Sequence, residues 1–242
     1  MNAIFATADV TIPALIVIAK AKAMTELDIE QARFNMIESQ IRPWEVLDQR
    51  ILDTLSAIPR EDFVPVRYRQ LAFADMRIPL GHGQVMMNPN VEGRLLQAVA
   101  IQADTRVLEI GTGSGYLTAC LAYLGGAVDS VELFPDFTER ARQTLARQRL
   151  ANIRLYTGDA ARDWGTERYD VIVLTGSLPY LPDSWRQRLA IEGRLFTVIG
   201  AEPAMEARLI TRHGEQEWVQ ESLFDTELPP LLNFAAPATF EF

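Results

Sequence analysis

The fold is decided by the stretch Val107-Leu108-Glu109-Ile110-Gly111-Thr112-Gly113-Ser114-Gly115-Tyr116. It opens with a short apolar β-type run from Arg106 to Ile110, turns through alternating glycines, and enters a helical pattern from Tyr116 to Leu124. Glycines between a strand and a helix let the backbone pass close to a ligand, and the helix N-terminus offers free N–H groups. Downstream, strand patterns at Ala127–Val131, Ile153–Tyr156, Val171–Leu174 and Arg194–Ile199 alternate with helical ones at Asp136–Leu150 and near Asp183–Leu189. That alternation predicts an α/β, Rossmann-like sheet, mostly parallel and covered on both faces. Two further runs, Ala207–Arg212 and Trp218–Phe224, flank the turn-like His213-Gly214-Glu215-Gln216 and predict an antiparallel C-terminal edge.

Upstream, apolar positions from Thr25 to Ala57 follow helical spacing broken at Pro43, which predicts two helices. IPREDFVP is a proline-bounded connector, the stretch to Pro79 reads as irregular or short helix, and Val91–Ile101 reads as a helix. Between them GHGQVMMNPN (Gly81–Asn90) has the glycines, Asn and Pro of a loop, yet its centre is bulky and apolar. Residues 1–24 read as a non-structural leader before one domain over 25–242. Within that domain, 25–101 is an N-terminal helical and loop part and 102–242 the sheet core. The apolar run Ile12–Ala19 is too short to span a bilayer, and its lysines follow it where a secretory signal has them first.

Composition narrows the classes. With 242 residues and 48% hydrophobic content, the chain can bury a full core. One Cys excludes a disulfide framework, and with two His it leaves too few soft ligands for a structural zinc, so no metal is expected. The net charge of −9 is the wrong sign for a nucleic-acid partner, and Arg140, Arg142, Arg147 and Arg149 read as the solvated face of a helix. A cytoplasmic protein without a membrane segment is expected. Nothing in the sequence bears on oligomeric state.

The glycine turn has partners in register. Glu132 ends the next strand, 21 positions past Gly111, a spacing that suits a carboxylate accepting both ribose hydroxyls of a nucleoside. The turn is G-x-G-x-G, whereas the nicotinamide dinucleotide fingerprint is G-x-G-x-x-G. Glu109 lies two residues before the first glycine, where a carboxylate repels a pyrophosphate but can orient the ammonium-bearing tail of S-adenosylmethionine. Asp159, in Gly158-Asp159-Ala160 after the third strand, is placed either to accept from an adenine amino group or to cap the next segment.

Three segments together, ARFNMIESQIRPWEVLDQRILDTLSAIPREDFVP, LAFADMRIPLGHGQ and RVLEIGTGSGYLTACLAYL, make the chain similar to the protein-L-isoaspartate O-methyltransferases, from about Gln31 to about Leu231. The resemblance implies the class I methyltransferase sheet, S-adenosyl-L-methionine as methyl donor, and a protein or peptide carboxylate as acceptor. It assigns Gly111, Gly113 and Gly115 to the methionine tail, Glu132 to the ribose and Asp159 to the adenine. With Glu109 and the flanking Thr112, Ser114, Leu133, Ala160 and Thr175, these form the expected cofactor set. The family's acceptor loop reads Gly-x-Thr-Ile-Ser-x-Pro, with hydroxyls beside the substrate carboxylate. Here Val85 stands for the Thr and Met87 for the Ser, and Gly176-Ser177-Leu178-Pro179-Tyr180 is a second departure. Met87, Asn88 and His82 are therefore the candidates facing the acceptor. Three functions fit: isoaspartyl methylation with altered loop contacts, methylation of a more apolar small molecule, and S-adenosylmethionine binding without catalysis.

Overall fold

The computed structural model describes residues 25–162 and 164–234, so the expected leader lies outside the described residues. Thr25 caps the first helix, α1 (Glu26–Met36), accepting from the Asp28 N–H while the Asp28 carboxylate accepts from the Thr25 N–H at 2.9 Å. The break at Pro43 is spread over a π turn (Ile37–Ile41) and a 3-10 turn (Arg42–Trp44), after which Asp48 caps α2 (Gln49–Ala57). Short 3-10 turns then lead to the segment expected to be a loop. It forms instead a small antiparallel hairpin, β1 (Ile78–Gly81) and β2 (Gln84–Met86). Gly81, His82 and Gly83 all hold positive φ at its tip, and apolar Ile78 and Met86 pair across it and are buried. The apolar centre is thus a strand packed on the core. Helix α3 (Pro89–Val99) follows, with Pro89 in its first turn.

The main sheet has seven strands: β3 (Arg106–Ile110), β4 (Ala127–Glu132), β5 (Ile153–Thr157), β6 (Tyr169–Leu178), β7 (Leu189–Ala201), β8 (Ala204–Gly214) and β9 (Glu217–Asp225). Helices α4 (Tyr116–Tyr123), α5 (Pro135–Arg147) and α6 (Asp183–Gln187) lie in the β3–β4, β4–β5 and β6–β7 crossovers. The spatial order is β5-β4-β3-β6-β7-β8-β9, parallel from β5 to β7 and antiparallel at β7–β8 and β8–β9. Val107, Leu108, Glu109 and Ile110 are all buried because β3 is covered on both faces. Val107 joins a core with α4 and the N-terminal helices, while Leu108 and Ile110 join one with Leu181 and Trp185. The chain runs outward from β3 to β5 and then crosses back to β6, so a topological switch lies between the C-terminal ends of β3 and β6, where open α/β sheets hold ligands. No helix among the described residues is long and apolar enough to cross a membrane.

Candidate active site

A cleft opens at that switch point. Its floor is the turn after β3. Gly111 has φ +95, and a Cβ there would meet the Thr175 hydroxyl at 2.2 Å. Gly113 has φ +54, and a Cβ there would meet Leu80 at 3.2 Å. Bare backbone is therefore required at Gly111, and the left-handed φ of Gly113 favours glycine there. Thr175 sits in a register irregularity of β6, and its hydroxyl lies 2.9 and 2.8 Å from the carbonyl oxygens of Ile110 and Gly111, tying β6 to the turn.

Glu132 ends β4 against the same turn. Its Oε2 accepts from the Gly113 N–H at 2.8 Å and its Oε1 from the Phe134 N–H at 3.0 Å. Burial raises its pKa, and the backbone N–H groups of Phe134, Gly113 and Leu133 hold it back. A carboxylate offers about four acceptor positions, so capacity remains beyond these backbone donors. Asp159 lies further along the cleft, accepting from the Ala161 N–H at 3.1 Å and the Asn233 amide at 2.9 Å. Thr112, Ser114, Leu133 and Ala160 also line this wall. The opposite wall is the hairpin, with Leu80, Gln84, Val85, Met86 and Met87.

Four candidates stand elsewhere. Gly115 (φ +85) caps α4 with its Cα against Ala141 of α5, where a Cβ would meet the Ala141 Cβ at 3.1 Å. It permits helix contact rather than ligand contact. His82 stacks on Phe134 at 4.1 Å and approaches Asp136 at 3.1 Å, an exposed surface contact outside the cleft. Asn88 turns away to donate to Asp75 at 2.9 Å. Of the three residues expected to face the acceptor, only Met87 lines the cleft.

Glu109 also departs from its expected place. It lies behind the turn, 0% exposed, with Oε2 accepting from the hydroxyls of Thr118 (2.5 Å) and Ser130 (2.6 Å) and Oε1 unpartnered. Alternation along β3 aims it at α4 and not at the ligand face. Burial pushes its pKa up to about 8. The hydroxyls of Ser130 and Thr118 oppose this, and the nearby Glu132 and Glu92 carboxylates reinforce it. Because the folded pKa is the higher one, this group's contribution to stability is complete below about 4.5 and is lost as pH rises to about 8. Glu109→Gln should therefore remove about one proton's worth of the decline in stability over that window, read by urea titration at several pH values. Equal slopes in both proteins would contradict the assignment.

Sequence reasoning missed two groups. The C-terminal segment Pro230–Phe234 runs parallel alongside the end of β6 and lines the cleft beside Asp159. It is held by Ser177 N–H to the Pro229 carbonyl (3.0 Å) and Leu231 N–H to the Ser177 carbonyl (2.9 Å). Gly176 makes room for it, since a Cβ there would meet the Pro229 carbonyl at 2.9 Å. The second is the buried pair of Arg60 and Glu92 under the hairpin. The Arg60 guanidinium donates to the Ala72 carbonyl at 2.8 Å, to the Met87 carbonyl at 2.6 Å and to the Glu92 carboxylate, and stacks over Tyr116 at 4.8 Å. Glu92 itself lines the cleft. Its signal was a charge at the i position of the apolar stripe Leu95, Leu96, Val99.

A parallel sheet with this switch point, a bare glycine turn and a carboxylate ending the next strand define a class I S-adenosylmethionine-dependent methyltransferase. Residues 31–233 match the sequence pattern of the protein-L-isoaspartate(D-aspartate) O-methyltransferases (PCMT), and the chain belongs to that family. Protein-L-isoaspartate O-methyltransferase 1 of Rhodopseudomonas palustris (strain HaA2) is 35% identical over 202 residues, covering 83% of this chain and 82% of the relative. The protein-L-isoaspartate O-methyltransferase of Methanoculleus marisnigri is 37% identical over 189 residues, covering 77% and 86%. Among solved structures, a protein-L-isoaspartate O-methyltransferase from Plasmodium falciparum in complex with S-adenosyl-L-homocysteine shares the fold. Its TM-score is 0.71 at 18% identity, over 84% of this chain and 97% of that one.

Proposed function

We propose that the protein methylates the free α-carboxylate of isoaspartyl residues in peptides or proteins, as a repair methyltransferase using S-adenosylmethionine. The observation that carries this reading is one cleft whose floor is the glycine turn with Glu132 and whose opposite wall is the hairpin ending in Met86 and Met87. In this reading Gly111, Thr112, Gly113 and Ser114 offer backbone to the methionine portion. Glu132 accepts ribose hydroxyls on the positions its backbone partners leave free. Leu133, Asp159 and Ala160 border the adenine, and Thr175 fixes the turn.

When bound, S-adenosylmethionine supplies an electrophilic methyl group. The acceptor carboxylate is ionised at neutral pH, so the chain has no proton to remove and works through proximity and alignment. Leu80, Val85, Met86, Met87 and Leu117 make an apolar wall that excludes water from the acceptor end. We place the reaction in the cytoplasm as part of the same reading, in keeping with a single, buried cysteine.

The test is transfer of tritiated methyl groups to an isoaspartyl peptide and to the same peptide with ordinary aspartate. Base-labile label in the isoaspartyl peptide alone is the expected result. No label above a buffer control at millimolar peptide would remove the reading, and label only in apolar small molecules would reassign the acceptor.

A further inference from the structure

The acceptor hairpin carries no hydroxyl, since residues 84–87 are Gln-Val-Met-Met. The cleft nevertheless receives an acid from beneath the hairpin. Glu92 projects from α3, 2% exposed, and shares one guanidinium with the hairpin, because Arg60 Nη1 holds its Oε2 while Arg60 Nη2 holds the Met87 carbonyl. We propose that Glu92, carrying a proton, is the hydrogen-bond donor that receives the acceptor carboxylate, with Arg60 fixing its position beside Met87. The proposal rests on the methyl-transfer reading above and names the polar contact of its acceptor.

An ionised Glu92 would repel an anionic acceptor in the same cleft, whereas a neutral carboxyl offers it a charge-assisted O–H bond. The groups facing Glu92 are Arg60 from the connector, Glu109 from β3, and Tyr116 and Cys120 from α4. Arg60 alone favours the ionised form. Burial outweighs it and pushes the Glu92 pKa up to about 7, and an arriving carboxylate raises it further. Glu92 keeps its proton through the reaction. The acceptor's negative charge is consumed in the new O–CH3 bond as the S–CH3 electron pair returns to sulfur, and no proton is released.

The test compares wild type with Glu92→Gln, whose amide donates without titrating and still accepts from Arg60. In wild type, kcat/KM for an isoaspartyl peptide should fall about tenfold per pH unit above the Glu92 pKa, and in Glu92→Gln it should be flat from about pH 6 to about pH 9. Affinity of the S-adenosylhomocysteine-loaded protein for the same peptide, read by calorimetry, should decline with pH in wild type and stay constant in Glu92→Gln. Glu92→Leu should lose about a hundredfold in kcat/KM. Should that variant fail to fold, the wild-type and glutamine profiles still decide. Superimposable profiles, or a flat wild-type rate and affinity, would overturn the role of Glu92 while leaving the methyltransferase reading intact. Absence of transfer to the peptide from wild type at every pH would overturn that reading and the proposal with it.

Discussion

Arg60→Leu should lower the melting temperature by roughly 6–20 °C. Arg60 is fully buried, and three acceptors converge on it: the Ala72 carbonyl, the Met87 carbonyl and the Glu92 carboxylate. Leucine fills part of the space but leaves all three unpaired. Breaking a buried pair from one side typically costs about 3–5 kcal/mol, and a domain of this size loses about 2–4 °C per kcal/mol. Glu92 can take up a proton and recover some of that, so the loss should be smaller at acid pH than at alkaline pH. Arg60→Lys should fall between, because an ammonium keeps the charge but lacks the planar fork that serves three partners. Thermal melts at two pH values are sufficient, and an unchanged transition in Arg60→Leu would contradict the description of the pair.

Glu132→Ala should weaken S-adenosylhomocysteine binding by about tenfold or more while changing the fold little. Hydrogen bonds to a charged group contribute about 1.5–3 kcal/mol, or roughly 10- to 150-fold in affinity. Glu132→Gln is no milder. The carboxylate takes the Gly113 N–H on one oxygen and the Phe134 N–H on the other, so an amide must turn its NH2 toward one of those donors. Calorimetry on the three proteins tests this, and equal affinity in all of them would remove Glu132 from the nucleoside site.

These predictions draw unequally on sequence and structure. The β3 run, the glycines and Glu132 are local signals in register, and with the strand–helix alternation downstream they made the parallel sheet legible, whereas the switch point appears only in the strand order. The antiparallel edge was legible for the same reason, as a hairpin between two alternating runs. Positions 81–90 were harder, because their glycines and Asn signal a loop while burial of Ile78 and Met86 pulls the segment into a paired hairpin. Asn88 and His82 sit in the right stretch but face Asp75 and Phe134, a matter of side-chain direction that composition does not carry. Glu109 shows the same limit, since strand alternation decides its face. Arg60 and Glu92 lie 32 positions apart, and no local pattern in either segment pairs them. Gly176 and Pro229 likewise meet only once β6 and the C-terminal segment are in place.

The most direct test is a crystal structure with S-adenosylhomocysteine and an isoaspartyl peptide bound. The ribose should lie on Glu132, the sulfur between the Gly111–Gly113 turn and the hairpin, and the isoaspartyl carboxylate beside Met87 within hydrogen-bond reach of Glu92. A nucleoside bound away from Glu132, or a peptide carboxylate seated anywhere other than against that hairpin, would contradict the account.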